Sequence, residues 1–316
     1  LAAMLSFVRL CYARTMTGSN TSTSPGHATQ LAYLLTTALL MYSHVYGLFI
    51  VIGQNVILLL RYAPLWPEQP ALRLKRWFLL QGVLGVVFLP WAYVLTRQVA
   101  RVQTSFWIDR PELSDLLQTF TEYMGVLPAL LLGAIAALFG IFMLLRPHPQ
   151  QSAPAAGTRN DISLTAPDTA LLLLGWLVIP IGLPFVLSLL VQPIFMPRYT
   201  IASSPAWFML IATGISALLR PWLRNSLLGL LIIAMALVLP IYYSSNTKTE
   251  WPAVVAMIEN NANAGDLVLF HNPDVLVPWQ YYRQRSDLQL QTVVAAETWQ
   301  AAGVTDLRKP DVRAAA

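Results

Sequence analysis

A chain of 316 residues that is 56% hydrophobic carries only 11% Asp, Glu, Lys and Arg, against about 25% in soluble domains, which excludes an ordinary soluble domain and indicates an integral membrane protein. The 20 basic and 15 acidic residues leave a net charge of +5, dispersed between apolar runs rather than gathered in a patch, so the basic balance reads as membrane topology and gives nucleic-acid binding no support. The single cysteine, Cys11, excludes a disulfide framework or a cysteine metal cluster within these residues.

Residues 1–12 predict the tail of a membrane helix. Leu1 already lies inside this apolar run, which leads to the expectation of a chain cut from a longer one. A polar loop at 15–29 follows. As one helix, 31–60 would extend about 45 Å at 1.5 Å per residue, more than the roughly 30 Å hydrocarbon core requires. Tyr42, Ser43, His44, Tyr46 and Gly47 interrupt that run with groups suited to a membrane interface, so it predicts two short helices, 31–42 and 46–61. Clearer spans are 77–96, 123–145, 169–191, 203–219 and 226–243, with Pro180 and Pro184 expected to bend the 169–191 span.

Between the spans, 97–122 holds Leu113, Leu116, Leu117 and Phe120 at helical spacing behind Pro111, with Glu112 and Asp115 where the helix dipole favours negative charge. It predicts a short amphipathic helix lying along the outer membrane surface, packed on the bundle, or both. From 245 the composition turns polar. Trp251, Val254, Val255 and Ile258 form one helical stripe ended by Gly265, strands are expected at 267–270 and 288–294, and a further helix at 296–302. The fold class is therefore mainly α. A polytopic transmembrane helix bundle over 1–244 carries a small extracytoplasmic α/β unit over 245–316, whose length is marginal for folding alone.

Arg14, Arg61, Arg73, Lys75, Arg76, Arg146, Arg159, Arg220 and Arg224 fall on one set of alternate sides, nine basic residues against the four of Arg97, Arg101, Arg110 and Arg198. The positive-inside rule makes the first set cytoplasmic. That parity requires 31–61 to cross twice, and it places everything after Tyr243 outside the cytoplasm.

The connection VQPIFMPRYTIASSP is bracketed by prolines and holds one cation, Arg198, beside Tyr199, Thr200, Ser203 and Ser204. A guanidinium fixed at an interface suits a phosphate, because it offers several donors in a rigid fork. The alternative is an arginine that snorkels into lipid headgroups without specificity. Charge is almost absent from the spans, where an ion-coupled carrier would place ionisable groups. His44, Tyr46, Arg97, Arg101, Trp107, Arg198 and Tyr199 collect instead at the outer helix ends, a distribution that fits chemistry on a lipid-borne substrate at the outer face.

The segments TALLMYSHVYGLFIVIGQ, VVFLPWAYVLTRQVA with WIDRPELSDLL, MPRYTIASSPAWFML and EWPAVVAMIENNANAGDLVLF occur in that order. Together they resemble the C-terminal portion of bacterial polytopic glycosyltransferases of the C-type superfamily, similar to the protein O-mannosyltransferase and aminoarabinose-transferase group. The resemblance implies a membrane enzyme of the cell envelope that moves a sugar from a polyprenyl phosphate carrier to a glycan, lipid or protein acceptor at the extracytoplasmic face. It implies that Arg198 and Tyr199 face the carrier phosphate and that His44 and Tyr46 line the same cavity. It also implies catalytic acids upstream of Leu1, so the catalytic residue is unassigned and the chain alone is expected to be inactive. Asp109, Glu112, Asp115 and Glu122 read as solvated helix residues. No cofactor is assignable and a divalent metal stays open, since His271 and Asp274 alone are too few ligands to define a site. The alternative function is a non-catalytic polytopic protein that binds or moves a lipid carrier. A polymerase or ligase of surface polysaccharide ranks third.

Overall fold

Long apolar stretches leave backbone N–H and C=O groups few partners beyond the chain itself, and a helix pairs them all within one segment. A computed structural model describes residues 1–12, 26–62, 71–102, 108–146, 164–244, 250–270, 275–285 and 287–294, without the side chains of 71–74, 99–102, 241, 242 and 294. The chain divides into two units, Leu1–Pro240 and Ile241–Ala316. The division falls a few residues before the composition shift at 245.

The first unit contains α1 (Ala2–Tyr12), α2 (His27–Ser43), α3 (Gly47–Tyr62), α4 (Ala71–Val102), α5 (Leu113–Met124), α6 (Leu127–Leu145) and α7 (Ala166–Leu190). A 3-10 helix (Pro197–Ser203) then leads into α8 (Ser204–Ser216) and α9 (Pro221–Ala236), and α10 (Val238–Ser244) runs across the division. Four stretches among the described residues are long and apolar enough to cross a membrane: Lys75–Gln98, Leu127–Leu145, Ala166–Leu190 and Pro221–Pro240. Three details differ from the sequence reading. The expected span 203–219 is the 13-residue α8, about 20 Å long at 1.5 Å per residue, which falls short of the roughly 30 Å hydrocarbon core. The expected span 226–243 is two helices that meet at Leu237. Third, α7 begins early enough to include Asp168, an acid within a candidate span.

Asp168 is only 6% exposed. Its Oδ1 lies 2.5 Å from Arg61 Nε at the end of α3, and its Oδ2 accepts the Thr165 hydroxyl at 2.7 Å. An acid in the first turn suits the helix dipole. The same two helices approach closely along their length, where Ile57 lies against Gly175 and Gly53 faces the Gly175 carbonyl.

A connected polar network crosses the apolar interior of α2, α3 and α4. Tyr33 donates its hydroxyl to Gln54 Oε1 at 2.9 Å and accepts from Gln81 Nε2 at 3.0 Å. Asn55 Nδ2 donates to Gln81 Oε1 at 3.1 Å and Trp77 Nε1 donates to Asn55 Oδ1 at 2.8 Å. Such bonds bind helices together where hydrophobic burial distinguishes poorly between helix and lipid. Tyr33 and Gln54 stand about equally far from His44 on either side, so α2 and α3 run back along each other.

The tightest packing joins α6 and α8 through small residues: Ala129, Gly133, Ala136, Ala137 and Gly140 on one helix, Ala206 and Gly214 on the other. A β-carbon on Gly214 would overlap the Ala136 carbonyl, and one on Gly140 the Leu210 carbonyl. Backbones this close tolerate only glycine.

In the second unit, α11 (Trp251–Asn261) precedes β1 (Leu267–Phe270), α12 (Leu276–Tyr282) and β2 (Gln291–Val294). The strands pair in parallel, with Leu267 opposite Gln291 and Phe270 opposite Val294. Val255, Phe270 and Trp279 form the core. Glu259, buried on α11, accepts the backbone N–H of Arg285 at 3.0 Å. The helix expected at 296–302 lies outside the described residues.

Gly214→Ala is expected to destabilise the purified protein by about 1–3 kcal/mol, the usual cost of overpacking, seen as a lower melting temperature in detergent. Gly82→Ala, whose β-carbon would meet nothing within 4 Å, should leave melting unchanged or slightly raised. Equal melting of the two variants would refute the close α6–α8 approach.

Candidate functional site

The site begins with two interruptions of helix. The first is the break between α2 and α3, where His44 leaves the helix in extended backbone, with φ −158° and ψ 136°. Gly47 restarts the chain directly against the Leu40 carbonyl, and a β-carbon there would lie 2.7 Å from that oxygen. Hence the turn is too tight for a larger residue. The second interruption is Val191–Met196, the irregular link between α7 and the 3-10 helix. Pro193 and Pro197 within and after it lack the N–H that a helix would use.

Side chains of α7 and of the α2–α3 break satisfy the link. Ser188, 1% exposed on α7, accepts the N–H groups of Ile194 at 2.9 Å and Phe195 at 2.7 Å, and donates to the Pro184 carbonyl at 2.8 Å. The Tyr46 hydroxyl donates to the Ile194 carbonyl at 2.8 Å and accepts the Met196 N–H at 3.3 Å. Beyond the link, the 3-10 helix is held from two more sides. The Tyr123 hydroxyl of α5 lies 2.6 Å from both the carbonyl and the hydroxyl of Thr200. Trp176 Nε1 of α7 donates to the Ala202 carbonyl at 2.9 Å.

These restraints bring the two interruptions together. The rings of His44, Tyr46 and Tyr199 meet edge to face in a triangle, with centroids 5.5 Å apart for His44–Tyr46, 5.2 Å for His44–Tyr199 and 5.6 Å for Tyr46–Tyr199. Phe49 packs against the far side of Tyr46 at 5.2 Å. Arg198 is exposed, with its guanidinium carbon 5.3 Å from the Tyr199 ring centre. Thus the four residues singled out in the sequence, Arg198, Tyr199, His44 and Tyr46, lie at one corner.

The Tyr46 N–H donates to His44 Nδ1 at 3.1 Å, so the neutral imidazole carries its proton on Nε2. Partial burial lowers the pKa of His44 from its ordinary value. The amide aimed at Nδ1 acts in the same direction, because a protonated ring would bring two N–H groups face to face. At neutral pH the corner therefore holds one permanent cation and one neutral N–H donor on an aromatic floor. That set is rich in donors toward an oxyanion.

Other sequence candidates lie elsewhere or outside the described residues. Arg97 is engaged on its own helix, donating to the Tyr93 hydroxyl at 2.7 Å over the Tyr93 ring. The Arg101 side chain, Trp107, His271 and Asp274 lie outside the described residues. Among those described, no three His, Cys, Asp or Glu side chains are grouped to hold a metal ion. Sequence reasoning missed Ser188, Tyr123 and Trp176. A lone hydroxyl in the apolar run LLLLGWLVIPIGLPFVLSLL was the only signal for Ser188. Comparison with family models, with curated proteins and with solved structures finds no match to this chain.

Tyr46→Phe removes the partner of one carbonyl and one N–H, at about 1–3 kcal/mol for buried groups left unsatisfied. The expected result is a lower melting temperature and faster amide exchange at Met196, whose N–H the hydroxyl accepts; unchanged exchange there would refute the role of the hydroxyl. For His44, the folded corner favours the neutral ring. Its stabilising contribution is complete above the ordinary pKa near 6.5 and is lost as pH falls through the lower folded value. Histidine-selective NMR titration should place the His44 midpoint below about 6.5, and a midpoint at or above that value contradicts the arrangement.

Proposed function

We propose that this chain is part of a membrane glycosyltransferase that moves a sugar from a polyprenyl phosphate carrier to an acceptor at the extracytoplasmic face of a bacterial inner membrane. The observation that carries the reading is the meeting of Arg198, Tyr199, His44 and Tyr46 at the corner where two helix interruptions face each other. The sequence resemblance to C-type glycosyltransferases supports it, as do the four helices apolar enough to cross a membrane. The positive-inside reading of the basic loops supports an extracytoplasmic corner and C-terminal unit.

In this reading the acceptor oxygen or nitrogen attacks the anomeric carbon as the bond from that carbon to the carrier phosphate oxygen breaks. The acceptor proton passes to an acid–base group that the four corner side chains do not include. Arg198 stabilises the negative charge that the departing phosphate gains, and the Nε2–H of His44 adds a second donor. Tyr199 and Tyr46 form the floor that fixes both groups.

The second reading, a non-catalytic protein that binds or moves the lipid carrier, draws on one specific observation. The four corner side chains offer a cation, an imidazole N–H and the Tyr199 phenol to a phosphate, with the Tyr46 hydroxyl held by the link, and include no carboxylate to activate an acceptor.

Arg198→Ala in the intact protein, reconstituted with a polyprenyl-phosphate-linked sugar, is expected to lower sugar transfer by about 10²–10³-fold, the usual effect of removing one such donor. Arg198→Lys should recover part of it, since an ammonium keeps the charge without the fork. If wild type binds polyprenyl phosphate but transfers no sugar, while Arg198→Ala loses that binding, the second reading holds. Unchanged binding and transfer in Arg198→Ala would return Arg198 to a snorkelling role and sink both readings.

A further inference from the structure

The amphipathic helix α5 divides its surface three ways. Thr119, Tyr123 and Met124 are buried, and Leu116 and Phe120 pack partly against the core. On the far side, Ser114, Gln118 and Glu122 are exposed, and Gln118 Nε2 donates to Glu122 Oε1 at 2.9 Å. Between these faces runs an apolar edge that the bundle leaves uncovered, with Leu113 77% and Leu117 58% exposed. On a helical wheel these two leucines sit one turn apart, roughly a quarter turn from both the packed centre and the polar arc. A helix that met only protein and water would have no use for a separate apolar edge.

Chain continuity says what covers it. α5 ends at Met124 and α6 starts at Leu127, so α5 ends only two residues short of a helix long and apolar enough to cross a membrane. Leu127, Leu131, Ile135, Leu138 and Phe142 of α6 are exposed as well, which is the stripe such a helix turns toward lipid. The uncovered edge of α5 therefore stands where hydrocarbon gives way to headgroups, the level at which a helix meets protein, acyl chains and water on different sides.

We infer that α5 lies in the headgroup layer with Leu113 and Leu117 seated in the acyl boundary of the bilayer. The partner is the boundary itself rather than anionic headgroups, because Glu112, Asp115 and Glu122 give the helix acidic rather than basic flanks. The inner face of the same helix holds the Thr200 carbonyl and hydroxyl through Tyr123, in the 3-10 helix that carries Arg198 and Tyr199. The depth at which α5 floats thus sets the depth of Arg198 relative to lipid phosphates. This holds whether or not the corner transfers sugar.

The test places an environment-sensitive nitrobenzoxadiazole label on Leu113→Cys, Leu117→Cys or Gln118→Cys in the Cys11→Ser background, with the full chain in phosphatidylcholine nanodiscs. All three positions are exposed, and single-peak gel filtration confirms that each variant folds. Labels at 113 and 117 are expected to emit at shorter wavelength than the label at 118. They should be quenched several-fold more by lipid carrying a doxyl group near the ester, and several-fold less by aqueous iodide. Iodide access at 117 equal to that at 118 overturns the inference. So does shielding of 117 from both quenchers, which would mean that protein covers the edge.

Discussion

An irregular stretch of backbone inside an apolar bundle must find a partner for each N–H and C=O, because an unpaired group away from water costs as much as a lost hydrogen bond. Val191–Met196 is that stretch, and the rest of the site follows from how its groups are paired. Ser188 receives two N–H groups from one side, and Tyr46 takes a carbonyl and an N–H from the other. Ser188 comes from α7 and Tyr46 from the turn that leads into α3, so the link is fixed to the framework rather than to itself. Since the 3-10 helix begins where the link ends, Arg198 and Tyr199 inherit that fixed position. Tyr46 has two roles, as a link partner through its hydroxyl and as the floor of the corner through its ring.

The helices that present these partners are themselves clamped at both ends. α3 runs from the corner to Arg61, and α7 runs from Asp168 to Ser188, so the Arg61–Asp168 pair closes the end opposite the corner. An acid this buried is costly without its cation, and losing one member of such a pair costs more than the pair itself contributes. Between the ends, Ile57 and Gly53 lie against Gly175 without room for relative sliding. The network of Tyr33, Gln54, Asn55, Trp77 and Gln81 extends the same rigidity to α2 and α4. Each polar group there is bonded across helices, which makes a slip of one residue expensive on every strand of the network.

Legibility in the sequence followed the kind of signal. Helix interruptions were readable because they use residues with strong local preferences: His44 with its polar and aromatic neighbours, and Pro193 and Pro197 ahead of Arg198. The strand at 267–270 was readable from its short apolar run. What the sequence could not reveal was which interruption faces which. His44 and Tyr199 are far apart in the chain, and their meeting depends on hydroxyl partners such as Ser188 and Tyr123, whose residue types carry no long-range address. Hydropathy also overran the helix at 203–219, because it counts Ala217, Leu218 and Leu219 as apolar without seeing that α8 ends at Ser216. Asp168 escaped for a related reason. Beside a proline and a polar stretch it resembles a loop acid, but the Thr165 cap, which accepts the Asp168 N–H, starts α7 ahead of it and Arg61 pairs its carboxylate.

The chemistry of the corner narrows the class of ligand further than its aromatic character alone. The Arg198 guanidinium carbon lies 5.3 Å from the Tyr199 ring centre, and a guanidinium offers N–H groups in a planar fork from which a tetrahedral oxyanion can accept two bonds at once. The neutral His44 has its acceptor nitrogen already occupied by the Tyr46 amide, so the nitrogen left to meet a ligand is a donor. A cationic ligand would face a cation and an N–H and gain nothing. A neutral sugar would use the aromatic floor but leave the guanidinium unmatched. A phosphoryl group matches both donors, and an acyl or polyprenyl tail attached to it would extend along apolar helices rather than into water. On the proposed reading the corner receives the junction of a lipid with its phosphate, the one chemical feature that the transferase and carrier-binding readings share, and transfer itself depends on a base that the four corner side chains do not supply.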